Sequence, residues 1–222
     1  MNVFDEQRGR IALYAPKGSR HSATIAILLE KLKLPYRLHL VASADDVPDH
    51  PAIPPGARDS LPLLTNFQSD GEHVSLCGIR AILEYLLARY DEDHVVRYAD
   101  GSAQEHDVER WLSVVLPHRS QDKEASPARF DLEAEDGVVF ARKALNLYLN
   151  LEQHLQTTRS RFLVGSKCTV ADLAHFPYVA AAGAVGLDLE RFPEVTSWYN
   201  RLIEDGAVAK GMRAVGLEVA EA

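Results

Sequence analysis

The chain contains 222 residues, of which 46% are hydrophobic and 25% are charged, and its net charge is −8 at pH 7. These values are ordinary for a soluble globular protein that forms one large domain or two small ones. The negative charge argues against nucleic acid and anionic membranes as partners, because both attract basic surfaces. No apolar run approaches the roughly 20 residues that cross a bilayer, and the first residues lack the pattern of a signal peptide.

The cysteine and histidine content narrows the chemistry further. Cys77 and Cys168 are the two cysteines of the chain, which is too few for a disulfide framework. We therefore expect a reducing compartment, namely the cytoplasm. The nine histidines show no metal-ligand spacing, so we expect no metal site.

The first ninety residues alternate between strand-like and helix-like patterns. Short β-runs cover residues 11–14 and 36–41. Residues 61–65 and 73–76 predict a hairpin, whose turn is the Gly-containing segment at residues 69–71.

Two helices are predicted in this region from apolar residues at i, i+3, i+4 and i+7. The first extends from Ser22 to Lys33, where a following proline ends it, and the second begins near Ile79. Their apolar stripes are Ile25, Leu28, Leu29 and Leu32 in the first helix, and Ile79, Ile82, Leu83 and Leu86 in the second. The resulting order, β-α-β-loop-β-β-α, resembles a thioredoxin-type domain.

The second half of the chain shows helical patterns only. Residues 91–101 are polar and indicate a linker. Thr169-Val170-Ala171-Asp172 is a capping box, whose threonine and aspartate side chains bond to unpaired N–H groups at a helix start, and we interpret it as structural. We predict an α/β plus all-α fold, with a thioredoxin-like domain over residues 1–90 and an all-helical domain over residues 102–222.

These features together resemble the glutathione transferase superfamily. Pro62 at the head of a β-run, Phe162-Leu163-Val164-Gly165, the capping box, and the segment from Phe192-Pro193 to Trp198 follow the order and spacing of that family. The resemblance extends from about Ile11 to Leu202. It implies a glutathione-binding N-terminal domain, a second-substrate site in the helical domain, and a homodimer.

Glutathione chemistry needs a thiolate, and the resemblance assigns its stabilisation to the loop after the first strand. That loop, Lys17-Gly18-Ser19-Arg20-His21-Ser22, resembles the Ser-Ser-Cys-Ser loop of zeta-like and related serine-type members. Ser19 then takes the position of the catalytic serine, and we interpret Ser22 as the N-cap of the following helix. Tyr14 is the rival hydroxyl. His21 replaces the cysteine of the zeta-like loop, and it is either solvated or in contact with the ligand.

The remainder of the expected glutathione site contains one departure from the family. Ser60-Leu61-Pro62 resembles the segment that pairs with the cysteinyl backbone of glutathione, and a cis peptide bond before the proline is expected. The Glu-Ser or Asp-Ser pair that holds the γ-glutamyl group in the family is replaced here by Gly78-Ile79. Arg80 either clamps the γ-glutamyl carboxylate in their place or is an exposed helix residue.

The resemblance places the second substrate against the first helix of the C-terminal half, near Trp111, Val115, His118 and Arg119. Aromatic and apolar residues suit a small apolar electrophile, and the two basic residues suit an acidic or carbonyl group on it. We predict a glutathione-dependent enzyme that performs conjugation, or cis/trans isomerisation of an activated alkene, in a specialised biosynthetic or catabolic pathway. The alternative is a non-catalytic binding or assembly module, which the loss of the serine at Ile79 favours.

Overall fold

The computed structural model describes residues 11–48, 53, 60–67, 73–116, 137–182 and 188–219. The N-terminal part contains one mixed sheet with the strand order β2-β1-β3-β4. Strand β2 pairs parallel to β1, whereas β3 pairs antiparallel to both β1 and β4. The strands are β1 (Ile11–Pro16), β2 (Tyr36–Val41), β3 (Leu63–Phe67) and β4 (His73–Cys77).

The sheet topology follows from the predicted elements. Parallel strands need a long crossover, and helix α1, Arg20–Lys31, provides it between β1 and β2. The predicted hairpin is confirmed as β3 and β4, although its turn lies outside the described residues. Alternate residues of β1 face opposite sides of the sheet, so that Leu13 packs in the main core and Tyr14 in a smaller cluster with Val41, Val47, Ile53 and Leu63.

Helices make up the rest of the described structure, which confirms the predicted fold class. They are α2 (Ile79–Tyr90), α3 (Ala103–Val115), α4 (Gly137–Thr158), α5 (Val170–Ala182), α6 (Pro193–Ile203) and α7 (Gly206–Ala214), with short 3₁₀ helices at Ala44–Asp46 and Leu189–Arg191. Across the described residues, none of the helices combines the length and the apolar character that a membrane span requires.

The N-terminal and C-terminal parts share one core around α1. Gly211 of α7 lies so close to α1 that a Cβ atom on it would be 2.5 Å from the backbone nitrogen of Ile27. Only glycine permits this approach without a backbone shift. Charged pairs flank the contact, with Lys31 bound to Asp205 and Glu30 bound to Lys210 at 2.7 Å.

The aspartate half of the capping box at the start of α5 is confirmed, whereas the Thr169 hydroxyl donates to the aspartate instead of accepting from an N–H group. The fully buried carboxylate of Asp172 accepts bonds from the backbone N–H of Thr169 at 2.8 Å and from its hydroxyl at 2.9 Å. It also accepts from the backbone N–H of Leu163 at 2.8 Å and from the indole N–H of Trp198 at 2.9 Å. The carboxylate therefore joins α5 to the preceding loop and to α6.

Candidate functional site

The turn from β1 into α1 places Ser19 at the N-terminus of α1. Its backbone is extended, with φ −70° and ψ 126°, and its Oγ accepts a bond from the backbone N–H of Ser22 at 3.1 Å. Ser19 is therefore the N-cap. The prediction that Ser22 is the N-cap is wrong, because Ser22 is the third residue of the helix. The apolar stripe from Ile25 marks the buried face but not the polar first turn that precedes it.

The capping role of Ser19 is compatible with a hydrogen bond from its hydroxyl to a thiolate. A hydroxyl has one proton and two lone pairs, and the bond from Ser22 uses a lone pair rather than the proton. N–H groups at a helix start also favour an anion. The loop is held in place from the C-terminal side, because the backbone N–H of Gly18 donates to the carbonyl of Val215 at 2.8 Å.

Tyr14, the rival hydroxyl, belongs to a different environment. Its ring stacks on His39 of β2 with 4.7 Å between centroids, and it packs in the smaller cluster on the sheet face opposite the main core. Burial raises the pKa of its phenol. Ser19 instead sits at the N-terminus of α1, so the two hydroxyls lie in different surroundings.

The segment Ser60-Leu61-Pro62 meets the start of α2. The Leu61–Pro62 peptide bond is cis, as expected, and the carbonyl of Pro62 accepts a bond from the backbone N–H of Gly78 at 3.0 Å. Ser60 is exposed and Leu61 is half-buried. The fold therefore brings together two of the three segments that the sequence assigned to glutathione.

The departure at Gly78-Ile79 has a clear structural basis. Gly78 adopts φ +82° at the N-cap of α2, a left-handed conformation that suits glycine, and it contributes no side-chain cap. Ile79 is 2% exposed and packs in the main core. Arg80 is ion-paired with Glu109 of α3 at 3.1 Å and with Glu84 at 3.9 Å, so its charge is engaged between the two halves of the chain rather than displayed to solvent.

Tyr178, which the sequence did not single out, contacts the two residues that follow Ser19. The ring of Tyr178 on α5 makes an edge contact with His21, with 6.3 Å between centroids, and the guanidinium of Arg20 lies 5.8 Å from its centroid. His21 is half-buried against this ring. Helical periodicity within α5 could have shown that Tyr178 is buried, but not that its partner is α1.

The predicted second-substrate residues divide into two groups. Trp111 is half-buried on α3, where its ring contacts His154 and His175 at centroid distances of 4.8 and 5.4 Å. Val115 is buried at the end of α3. His118 and Arg119 lie outside the described residues.

His175 is the most perturbed titratable side chain near Trp111. It is fully buried on α5, and burial lowers its pKa to about 4. Its Nδ1 lies 2.8 Å from the carbonyl oxygen of Ala171. The ring is therefore neutral at pH 7.

A thioredoxin-like domain with a cis-proline before β3, joined to a helical domain, is the architecture of glutathione transferases. Residues 13–94 match the family described as "Glutathione S-transferase, N-terminal domain". Residues 133–205 match "Glutathione S-transferase, C-terminal domain". The chain belongs to the glutathione transferase superfamily.

Sequence similarity to known proteins extends along nearly the whole chain. It is 28% identical over 214 residues to the glutathione S-transferase-like protein tpcF of Aspergillus fumigatus, covering 88% of this chain and 92% of that protein. It is similar to a glutathione transferase homolog from Lodderomyces elongisporus solved with two glutathione molecules per subunit, with TM-score 0.71, 23% identity, and coverage of 91% and 97%. A maleylacetoacetate isomerase from Anaeromyxobacter dehalogenans, solved with dicarboxyethyl glutathione and citrate, has TM-score 0.68, 19% identity and 91% coverage of each chain. Both structures share the fold.

Proposed function

We propose that this chain is a glutathione-dependent enzyme that adds the glutathione thiolate to a small apolar electrophile. The observation that carries the proposal is Ser19, whose hydroxyl caps α1 at the turn after β1. Support also comes from the fold neighbours, whose structures contain glutathione or a glutathione derivative.

Glutathione would lie across three segments of the N-terminal domain. The main chain of Leu61 pairs with the cysteinyl backbone, and the N-terminus of α2 at Gly78 and Ile79 receives the γ-glutamyl carboxylate through backbone N–H groups. Ser19 donates to the sulfur. Such a charge-assisted bond is worth about 1–3 kcal/mol, which corresponds to a fall of roughly one to two units in the thiol pKa.

The reaction then follows from the thiolate. Its sulfur bonds to one carbon of an activated alkene, and the electron pair of the double bond moves onto the activating carbonyl. Protonation of the neighbouring carbon gives a conjugate. Rotation about the new single bond and expulsion of the thiolate give the other geometric isomer instead. The isomerase from Anaeromyxobacter dehalogenans binds a glutathione derivative in its active site. The proposal therefore includes both conjugation and isomerisation.

The role of Ser19 can be separated from its role as a helix cap. Ser102 caps α3 in the same way, accepting a bond from the backbone N–H of Glu105 at 3.1 Å. Ser19→Ala and Ser102→Ala should each cost about 1 kcal/mol of unfolding free energy. Only Ser19→Ala should raise the pKa of bound glutathione, by about one to two units, as measured by the ultraviolet absorbance of the thiolate across pH.

An unchanged thiol pKa in Ser19→Ala, with normal glutathione binding, would move the catalytic role to another group. Tyr14→Phe is then the variant to measure, since its phenol is the rival hydroxyl. An equal rise in Ser19→Ala and Ser102→Ala would show that the effect is a loss of helix order rather than a contact with sulfur.

The second candidate is a non-catalytic binding or assembly module. Gly78 and Ile79 favour it, because neither supplies the side-chain anchor that the family uses for the γ-glutamyl group. Titration calorimetry with glutathione tests the enzyme first, because the absence of binding at millimolar ligand would remove it. Binding is compatible with both candidates, and the thiol pKa of bound glutathione in wild type and Ser19→Ala then separates them.

We also infer a homodimer in a reducing cytoplasm. Both cysteines, Cys77 and Cys168, are free. On α4, Leu145 and Leu149 lie one turn apart and are 39% and 51% exposed, which forms an apolar face for a second copy. Leu149→Glu should convert the dimer to a monomer in sedimentation velocity, whereas Val95→Glu, at another exposed apolar residue, should not. A wild-type monomer at all concentrations would refute the dimer.

A further inference from the structure

The side chains of Trp111 on α3 and His175 on α5 are in contact, and each carries a buried ring nitrogen. The rings of Trp111 and His175 are in T-shaped contact, with 5.4 Å between centroids and 80° between planes. The indole Nε1 and the imidazole Nε2 are both buried, and neither has a hydrogen-bond partner within the part of the chain that the structure describes. Because buried polar atoms are rarely left unpaired, this pair requires an explanation.

The two atoms have opposite hydrogen-bonding sense. Nδ1 of His175 lies 2.8 Å from the carbonyl oxygen of Ala171, and since a carbonyl oxygen only accepts, Nδ1 carries the proton. In the neutral ring Nε2 then holds a lone pair and accepts. The indole Nε1 of Trp111 can only donate. The pair therefore presents one donor and one acceptor.

We propose that Trp111 and His175 bind a hydroxyl group of the second substrate, which accepts from the indole Nε1 and donates to the imidazole Nε2. The inference rests on the proposed function, because the hydroxyl belongs to the electrophile that glutathione attacks. A hydroxyl is a small uncharged group that both donates and accepts. An ether oxygen or a carboxylate satisfies Trp111 but has no proton for His175.

The neighbouring residues hold the pair in position. The ring of His154 contacts the indole edge-on at 4.8 Å, and His154 itself is fixed because its Nε2 lies 2.8 Å from the carbonyl of Leu163. Trp111 is half-buried, so part of the indole reaches the surface while its N–H is enclosed. These contacts fix the orientation of the indole beside His175.

Helix α5 connects this pair to the thiolate loop. Tyr178 follows His175 by three residues and so lies on the same face of α5. Tyr178 contacts Arg20 and His21, which directly follow Ser19. The pair and the loop that carries Ser19 therefore contact the same face of α5.

The test uses phenol, anisole and toluene as probes of the intact protein without glutathione. The chain has two tryptophans, so two indole N–H signals are expected in a ¹H–¹⁵N spectrum. Trp198 is fully buried and donates to Asp172 at 2.9 Å, so its signal is an internal reference. Phenol should shift the Trp111 signal and leave the Trp198 signal in place. Its affinity by calorimetry should exceed those of anisole and toluene by about five-fold or more.

Two variants test whether the preference for phenol depends on the ring nitrogens of Trp111 and His175. His175→Phe keeps an aromatic ring but removes the acceptor, and Trp111→Phe keeps an aromatic ring but removes the donor. Each should reduce the preference for phenol over toluene to about one, and either variant alone suffices if the other does not fold.

Three results would overturn the inference. The Trp111 signal does not move, which means that a fixed water or the His154 ring already satisfies the indole. Toluene binds as tightly as phenol. The phenol preference survives in a folded variant. Because glutathione is absent from these titrations, a failure here is distinct from a failure to bind glutathione, which would instead remove the proposed function.

Discussion

Helices α5 and α2 differ in how side chains complete their N-termini. At α5, Asp172 accepts four hydrogen bonds, and its carboxylate is sealed within the protein. At α2, Gly78 supplies no side-chain cap, and the next residue, Ile79, turns its side chain into the core. The first terminus is completed by the chain itself. The second leaves its N–H groups without a side-chain cap, as a terminus that receives a ligand carboxylate requires.

The loss of the family's Glu-Ser side chains does not by itself remove the capacity of the α2 N-terminus to bind a carboxylate. A helix start offers backbone N–H groups whatever residues occupy it. The lost Glu-Ser side chains would weaken glutathione binding by about 1–3 kcal/mol for each bond, a reduction rather than a removal.

The largest effect is expected from breaking the sealed terminus. Asp172→Asn keeps the shape of the side chain but replaces an acceptor oxygen with a donor, so buried N–H groups lose their partner. We expect a loss of about 3–5 kcal/mol in the free energy of unfolding, measured by urea titration. Asp188→Asn is the matched control, because its carboxylate caps an exposed 3₁₀ helix by accepting from Glu190 at 2.9 Å. Equal losses in the two variants would contradict the structural role of Asp172.

A second variant restores the family's serine at the open terminus. Ile79→Ser should cost about 2–4 kcal/mol of stability, because it removes a buried side chain, whereas Ile79→Val should cost about 1 kcal/mol. If the γ-glutamyl carboxylate lies at α2, the new hydroxyl should tighten glutathione binding by about five-fold in calorimetry. Unchanged affinity in a folded Ile79→Ser protein would contradict a contact between that carboxylate and the side chain at position 79.

A smaller loss of stability is expected at acid pH, where His175 of α5 becomes protonated on unfolding. The pKa of His175 is about 4 in the folded protein against 6.5 for an ordinary histidine. Below pH 6.5 the unfolded chain therefore binds a proton that the folded chain excludes, so stability is full above pH 6.5 and falls towards pH 4. Between pH 7 and pH 5 we expect a loss of about 2 kcal/mol.

Two replacements isolate this contribution. His175→Gln should flatten the fall in unfolding free energy between pH 7 and pH 5, because glutamine does not titrate. His106→Gln, at an exposed histidine on α3, should leave the fall unchanged. A slope that persists in His175→Gln would assign the acid sensitivity to other groups.

Local patterns predicted the elements that local forces determine. Short β-runs indicated the strands, and apolar stripes indicated α1 and α2, because such patterns depend on residues that are close along the chain. The capping box was predictable because Thr169 and Asp172 are three residues apart. The bonds from Leu163 and Trp198 to the same carboxylate were not, since they join segments that are distant along the chain.

The candidate site was predicted less well, for the same reason. Ser22 was assigned as the N-cap because the buried stripe starts near it, while the polar first turn of α1 carries no such signal. The engagement of Arg80 by Glu109 depends on how α2 meets α3. His175 lacked any motif, and only the packing of α5 against α3 shows that its ring meets Trp111.

The close approach of Gly211 to Ile27 limits how domains of such proteins can be exchanged to make chimeras. Helix α7 is encoded near the end of the chain, yet it covers α1 of the first domain. A chimera that exchanges only the thioredoxin-like half would set a foreign α1 against this glycine, so the two partners at that crossing have to be transplanted together.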